Sequence, residues 1–239
     1  MNDLLAMAIE SHGGLDRWNS FQKLRVKISI DGAIWYVKQA PGLLHEKVFE
    51  LDTQSEKISI SPFGIAAGQS LFADDILSFE NEVGKVLSSW IDPSSLFAGQ
   101  TIQTPWDLQH VAYFASEALW TYLTSPFLFA YPGFVTREIE PWNEGGETWR
   151  RLEVIFPDYI ASHTKTQVVH FGVDGLMRRH DYTVDILGGA SGANYPGAYR
   201  DFQGIKLPTT RRIFAYDSEM KSIPEPMLVS VDISDAAFF

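Results

Sequence analysis

Three polar side chains, His110, Tyr113 and Glu117, follow one another at helical positions i, i+3 and i+7. Because an α-helix turns once in about 3.6 residues, this spacing places them in one narrow arc of a single helix. Histidine titrates near neutral pH and a buried carboxyl has a raised pKa, so the arc contains groups suited to acid–base catalysis. The catalytic candidates are therefore His110, Glu117 and His180, and the alternative is a satisfied structural network.

Other reactive chemistries have little support in the sequence. The chain has no cysteine, which excludes disulfides, thiolate nucleophiles and Cys-ligated metals. No HxH or HExxH pair occurs, and although His170, His180 and Glu117 could in principle ligate a metal, we expect none. No GxSxG, GxGxxG or Walker motif is present, so we expect neither a nucleophilic serine nor a cofactor.

The helix that carries this arc is predicted over Thr104–Pro126. Thr104 suits the N-cap, Pro105 suits the first helical position, and Pro126 ends the segment. Three alanines on the apolar face predict that the helix packs closely against a partner surface, and the opposite arc is too aromatic for an ordinary solvent-exposed face. The residues of the apolar face are Leu108, Val111, Ala112, Ala115, Ala118, Leu119 and Tyr122.

The chain on both sides of this helix has the period-two alternation and the Gly, Pro, Asn and Asp turns of antiparallel strands. Strands are predicted at Leu24–Ile30, Ala33–Lys38, Leu44–Leu51, Lys57–Ser61, Ser70–Phe72, Ile76–Glu80, Lys85–Ile91, Val135–Pro141, Glu147–Phe156, Lys165–Gly172, Leu176–Leu187, Ala198–Phe202, Ile205–Ala215 and Met227–Ile233. The predicted fold is α+β and mainly β. One curved antiparallel sheet of about ten or eleven strands, an incomplete barrel, wraps around the central helix and follows a short N-terminal helix. We expect a single domain over residues 1–239.

Some strands are predicted to place polar side chains on the face toward the helix. In Leu176–Leu187, one parity contains Arg178, His180 and Tyr182, and His170 falls on the same side. The other parity is predicted to face solvent and consists of Met177, Arg179, Asp181, Thr183 and Asp185. Arg200 and Arg211 share a side in the following hairpin. These side chains either lie at sheet rims, paired with carboxylates, or surround a partly polar cavity. The stretch Gly188–Gly192 is predicted to be a loop at the cavity mouth, with Asn194 and Tyr195 as rim contacts.

Composition excludes several classes of partner. The formal net charge of the 239 residues is -11, which disfavours binding to nucleic acid or to an anionic membrane. No run approaches the roughly 18 apolar residues of a membrane span, and the N-terminus has no secretory signal pattern, so a cytoplasmic location is expected. Hydrophobic residues are 45% and aromatic residues 13%, more aromatic side chains than a core alone requires.

Several longer segments resemble a family of uncharacterised bacterial cytosolic proteins: HGGLDRW, TPWDLQHVAYF, LWTYLTSPF, GETWRRLEVIFP, GLMRRHDYTVDILGG and LPTTRRI. This resemblance covers nearly the whole chain and implies no catalytic residues. The order of elements is also similar to the lipoprotein-carrier (LolA/LolB-like) half-barrel, which implies an incomplete barrel that holds acyl chains beneath helices.

These observations favour a soluble protein that binds a small hydrophobic or amphipathic molecule between sheet and helix. The alternatives are an isomerase, cyclase or hydrolase acting in the same cavity, and a structural or interaction module with a filled core. The oligomeric state stays open. The predicted ligand-binding residues are Trp106, His110, Tyr113, Phe114, Glu117, Trp120, His170, Arg178, His180, Tyr182, Arg200 and Arg211.

Overall fold

A computed structural model describes residues 2–64 and 68–239 of the chain. The α-helices in these ranges are α1 (Asp3–Ser11), α2 (Leu15–Asn19), α3 (Ala33–Val37) and α4 (Leu108–Thr124). The strands are β1 (Lys23–Asp31), β2 (Lys47–Asp52), β3 (Lys57–Ser61), β4 (Gln69–Ala73), β5 (Ile76–Glu80), β6 (Val86–Ile91), β7 (Val135–Glu144), β8 (Glu147–Ile155), β9 (Thr166–Phe171), β10 (Met177–Val184), β11 (Ala190–Phe202), β12 (Ile205–Tyr216), β13 (Ser222–Ile223) and β14 (Val229–Phe238). None of these helices combines the length and the apolar composition that a membrane-spanning helix requires.

The strands of the described ranges form one antiparallel sheet, 14-stranded rather than ten- or eleven-stranded. Its order is β6-β5-β4-β3-β2-β1-β14-β12-β11-β10-β9-β8-β7, and β13 pairs with β12 beside this path. The C-terminal strand β14 joins the two halves, because it pairs with β1 on one side and with β12 on the other. The sheet is curved but not closed, with β6 and β7 at its edges. The predicted fold class is therefore confirmed.

The central helix α4 lies on one face of this curved sheet, which we call the inner face. Every side chain from His110 to Thr124 is buried, as expected for a helix that is apolar or aromatic on nearly all sides. One side of α4 packs against β3, β4 and β5. There the rings of Tyr113 and Phe72 meet edge to face at 5.4 Å, and Trp120 donates its indole N–H to the carbonyl of Asp52.

The start of α4 lies later than predicted. The N-cap is Asp107, not Thr104, and a capping box forms: the Asp107 side chain accepts from the backbone N–H of His110, and Nδ1 of His110 accepts from the backbone N–H of Asp107. Thr104 instead accepts a hydrogen bond from the backbone of Thr101 in a preceding turn. His110 therefore helps to cap the N-terminus of α4. Its Nε2 contacts the side-chain nitrogen of Gln100 at 2.8 Å.

Several other segments also differ from the sequence prediction. Ala33–Lys38 is not a strand, because Gly32 turns the chain at φ +125° and residues 33–37 form the short helix α3. This turn buries Ile34 and Trp35 together, whereas adjacent strand residues would point to opposite faces. The predicted loop Gly188–Gly192 is limited to a turn at Gly188 and Gly189, since β11 begins at Ala190, eight residues before the predicted start at Ala198.

Candidate functional site

An apolar cavity of about 380 Å³ lies between α4 and the inner face of the sheet. Side chains of α4 form one wall, and β1, β10, β11, β12, β14 and α3 form the rest. The lining residues are Ile30, Ile34, Trp35, Ile102, Phe114, Ala115, Ala118, Leu119, Tyr122, His163, Tyr182, Val184, Leu187, Ala190, Ser191, Gly192, Ile213, Ala215, Leu228, Val229 and Val231. Nearly all of these side chains are apolar, and the volume lies in the range of about 300–1,000 Å³ found for small-molecule sites.

Small residues are the reason that this space stays open. Ala115 and Ala118 face the cavity from α4, so the alanine face does not pack closely against the sheet as predicted. Gly192 faces it from β11, where a Cβ atom would lie only 2.5 Å from the ring of Tyr182. The glycine therefore lets the Tyr182 ring lie flat along the sheet and form part of the cavity wall.

Polar side chains are concentrated at one end of the cavity. The hydroxyl groups of Tyr122 and Tyr182 hydrogen-bond to each other, and the Tyr122 hydroxyl lies 3.5 Å from Nε2 of His163. Nδ1 of His163 lies 2.7 Å from a carboxylate oxygen of Glu117, although these two atoms do not form a hydrogen bond of good geometry. Burial raises the pKa of Tyr122 to about 12, although the Tyr182 hydroxyl and the charge of Arg211 partly offset this rise. Four proton-carrying groups thus follow one another at close range, from Glu117 to Tyr182.

Two further predicted residues, His180 and Arg211, flank Tyr122 from the sheet. The Arg211 guanidinium lies 4.8 Å from the centre of the Tyr122 ring, and the His180 ring lies 6.3 Å from it. Nε2 of His180 contacts the side-chain oxygen of Gln167 at 2.6 Å. Burial, followed by the charge of Arg211, holds the pKa of His180 well below its usual range, so this ring is neutral at pH 7.

The three catalytic candidates do not converge. His110 caps α4, Glu117 contacts His163, and His180 contacts Gln167. His163, which lies in the loop between β8 and β9, is the histidine that meets Glu117. The backbone of this loop is held by a hydrogen bond from Asp185 to the His163 carbonyl. Because loop residues have no regular period, sequence spacing carried no signal for this contact.

The remaining predicted ligand-binding residues divide between the cavity and other parts of the fold. Phe114 lines the cavity, and Trp106 packs on it at 4.9 Å without reaching the lining. Tyr113 and Trp120 lie on the opposite side of α4. Three residues lie elsewhere: Arg178 pairs with Asp174, Arg200 is exposed, and His170 lies on the outer face.

The outer face of β10 is not exposed to solvent as predicted. Arg179 and Asp181 are fully or almost fully buried there and pair at 2.6 Å. Glu144 of β7 binds both Arg179 and the hydroxyl of Tyr195, and the carbonyl of Met220 accepts from Arg179. The C-terminal end of β7 and the segment after β12 therefore cover this face. Tyr195 belongs to this ion cluster and not to a cavity rim.

A second, polar pocket of about 440 Å³ lies on the other side of α4; it shares His163 with the apolar cavity and is lined by Glu117 as well. Tyr113, Glu56 and Asp75 also line it. Burial raises the pKa of Glu56 well above its usual range, and the nearby Glu117 and Asp75 act in the same direction. Among the described residues, no group of three or more His, Cys, Asp or Glu side chains is arranged to hold a metal ion.

The fold is similar to that of solved bacterial proteins. A LolA superfamily protein from Nitrosomonas europaea matches with a TM-score of 0.51 at 10% identity, over 98% of this chain and 92% of that one. A DUF1329 family protein from Desulfovibrio piger matches with a TM-score of 0.44 at 14% identity, over 98% of this chain and 91% of that one. A putative outer membrane lipoprotein-sorting protein domain from Vibrio parahaemolyticus matches with a TM-score of 0.44 at 13% identity and the same coverage.

The first of these likenesses shows that the chain has a LolA-like fold, as the order of its elements predicted. No protein-family model and no curated protein matches the sequence. The resemblance to a family of uncharacterised bacterial cytosolic proteins therefore stays a prediction.

Proposed function

We propose that the protein binds one small hydrophobic or amphipathic molecule in the apolar cavity beside α4. The observation that carries this proposal is a hollow space of about 380 Å³ lined almost entirely by apolar side chains. Protein interiors are close-packed, so an empty space of this size is unusual, and water finds few hydrogen-bond partners along its apolar walls. Transfer of an apolar ligand into it is favourable, at roughly 25 cal/mol for each Å² removed from water. The LolA-like fold also supports the proposal.

The mouth of the cavity suits such a ligand. Ile102 lines the cavity and is 45% exposed, and Tyr36 and Val37 of α3, next to the lining residue Trp35, are 63% and 44% exposed. We take these exposed apolar side chains as the entrance for an apolar molecule.

Native mass spectrometry and displacement of a fluorescent apolar probe test this function. The protein should carry a bound small molecule from its host or bind the probe with a stoichiometry of about one. Ala115→Trp places an indole in the cavity and should abolish binding. The matched control Val173→Trp changes a turn residue that is 95% exposed, and should bind like the natural protein. Unchanged binding by Ala115→Trp would contradict the proposal.

A second candidate function is acid–base catalysis on an apolar substrate in the same cavity, of the isomerase, cyclase or hydrolase type. The close contacts from Glu117 through His163 to Tyr122 favour it, because the carboxylate can orient the imidazole and the imidazole can exchange a proton with the phenol. Chromatography of a panel of apolar substrates before and after incubation tests it. His163→Gln should abolish turnover while probe binding persists, and the absence of any product with the natural protein would eliminate this candidate.

A further inference from the structure

Next to Tyr122, at the polar end of the cavity but outside its lining, lies a positive charge with no anion beside it. Arg211 is only 2% exposed and lies on the inner face of β12. Nearby carboxylates have other partners: Glu117 contacts His163, and Asp181 pairs with Arg179. Within the described ranges no carboxylate forms an ion pair with Arg211, and the neighbouring Tyr122 is uncharged at neutral pH because burial raises its pKa. Met1 and residues 65–67, outside those ranges, have no acidic side chain.

One hydrogen bond of Arg211 has a local explanation. Its Nη2 donates to the carbonyl of Tyr122 at 2.6 Å. The residue four positions after Tyr122 is Pro126, which has no N–H, so this carbonyl lacks the usual helical donor. The guanidinium also lies at the negative end of the α4 dipole. These interactions satisfy one part of the side chain, but Nη1 has no hydrogen-bond partner among the described residues.

The neighbours of Arg211 are unpartnered as well. Asn194 of β11 is 0% exposed and its side chain lies beside the Tyr122 hydroxyl, but neither its amide nitrogen nor its oxygen forms a hydrogen bond of good geometry in the part of the chain that the structure describes. His180 is the cross-strand neighbour of Asn194, and its Nδ1 has no partner there either. A buried polar group without a hydrogen bond destabilises the folded chain, and an uncompensated buried charge destabilises it more. The cluster has both, at the end of a cavity.

We propose that the ligand is a single-chain amphiphile with one anionic headgroup, whose chain fills the cavity and whose head lies near Tyr122 and Tyr182, where Arg211 compensates its charge. This inference rests on the proposed binding of a hydrophobic molecule. A carboxylate or phosphate accepts several hydrogen bonds, which suits the donors of Arg211, Asn194 and the tyrosine hydroxyls. A cationic head would be repelled, and an alcohol would leave the charge of Arg211 uncompensated.

The test compares headgroups on one chain. Dodecanoate, dodecyl phosphate, dodecanol and dodecyltrimethylammonium displace a fluorescent apolar probe at neutral pH, each below its micellar concentration. Hydrogen bonds to a charged group contribute about 1.5–3 kcal/mol, so both anions should bind at least about tenfold more tightly than dodecanol. The ammonium compound should bind most weakly. Comparison of the two anions shows whether the site distinguishes a carboxylate from a phosphate.

Variants connect the preference to the side chain. Arg211→Met should reduce the ratio of anion affinity to dodecanol affinity to about one without weakening the binding of dodecanol. Arg211→Lys should keep most of the preference for anions. The matched control Arg200→Met removes an exposed arginine and should change neither the affinity for the anions nor the affinity for dodecanol. If Arg211→Met does not fold, Asn194→Leu provides the second variant, and it should weaken the anions by about threefold or more while dodecanol binds as before.

The outcomes separate this inference from the proposed function. Equal affinity of the natural protein for dodecanoate, dodecyl phosphate and dodecanol would overturn the anionic headgroup and leave hydrophobic binding intact. If no compound and no probe binds, the proposed function itself fails. If Arg211 serves only to complete the end of α4, Arg211→Met lowers the melting temperature and the anion-to-alcohol ratio stays unchanged, which also overturns the inference.

Discussion

The hollow cavity predicts that two alanines of the same helix respond in opposite ways to enlargement. Ala118 lines the cavity, whereas Ala112 is 0% exposed and lies within packed side chains outside the lining. Leucine adds apolar carbons at each position without loss of helix propensity. Each methylene removed from water contributes about 0.8 kcal/mol, so Ala118→Leu should raise the free energy of unfolding by up to about 2 kcal/mol. Overpacking at Ala112 should lower it by about 1–3 kcal/mol.

Urea unfolding at neutral pH measures both changes, and probe titration measures binding in the same samples. Ala118→Leu should also weaken binding of the probe because the new side chain occupies part of the cavity, whereas folded Ala112→Leu should retain it. Equal destabilisation by both substitutions would refute the reasoning, since it would mean that Ala118 contacts closely packed atoms. An increase in stability without any loss of binding would place the ligand elsewhere.

Three further substitutions test how α4 and the N-terminal region are held. Asp107→Ala removes the capping box and should lower the free energy of unfolding by about 1 kcal/mol without altering probe affinity. Trp120→Phe leaves the Asp52 carbonyl without its donor and should cost about 1–3 kcal/mol in the same urea assay. Burial lowers the pKa of His12 from 6.5 to about 4, so the unfolded chain binds a proton first as pH falls. The contribution of neutral His12 to the free energy of unfolding is therefore complete above about pH 6.5 and decreases as the pH falls towards 4. At pH 5 the decrease amounts to about 2 kcal/mol. His12→Gln should lack that part of the pH dependence, and an unchanged difference between pH 7 and pH 5 would contradict the assignment.

Much of the secondary structure could be predicted from local patterns. The strand Ile76–Glu80 has the bounds that its alternation and its turns predict, and the central helix ends just before Pro126, where proline interrupts the backbone bonds. The predicted start of that helix is wrong because Thr104 and Asp107 are both residue types that suit an N-cap. Only the reciprocal hydrogen bonds between Asp107 and His110 distinguish the two positions. The LolA-like arrangement also followed from the order of elements alone.

The site was harder to predict. Periodicity placed His180, Tyr182 and Arg211 on the inner face, where Tyr182 lines the cavity and the other two lie beside the Tyr122 ring, but it also placed His170 there, which lies on the outer face. It could not show that Arg179 on the opposite face is buried, because the covering residues come from β7 and from the segment after β12. Nor could it find His163, whose position in a loop has no period.

The sequence by itself determined which side chains are apolar and which face of each strand or helix they share, because a two- or 3.6-residue period is a property of the local backbone. Only the tertiary structure decided how far those faces lie from each other. Ala115 and Ala118 could have met the sheet directly. Instead, β14 joins the two halves of the sheet, and the curved surface that results keeps its strands away from the alanines and leaves a cavity. That separation depends on elements far apart in the chain, so no local pattern encodes it.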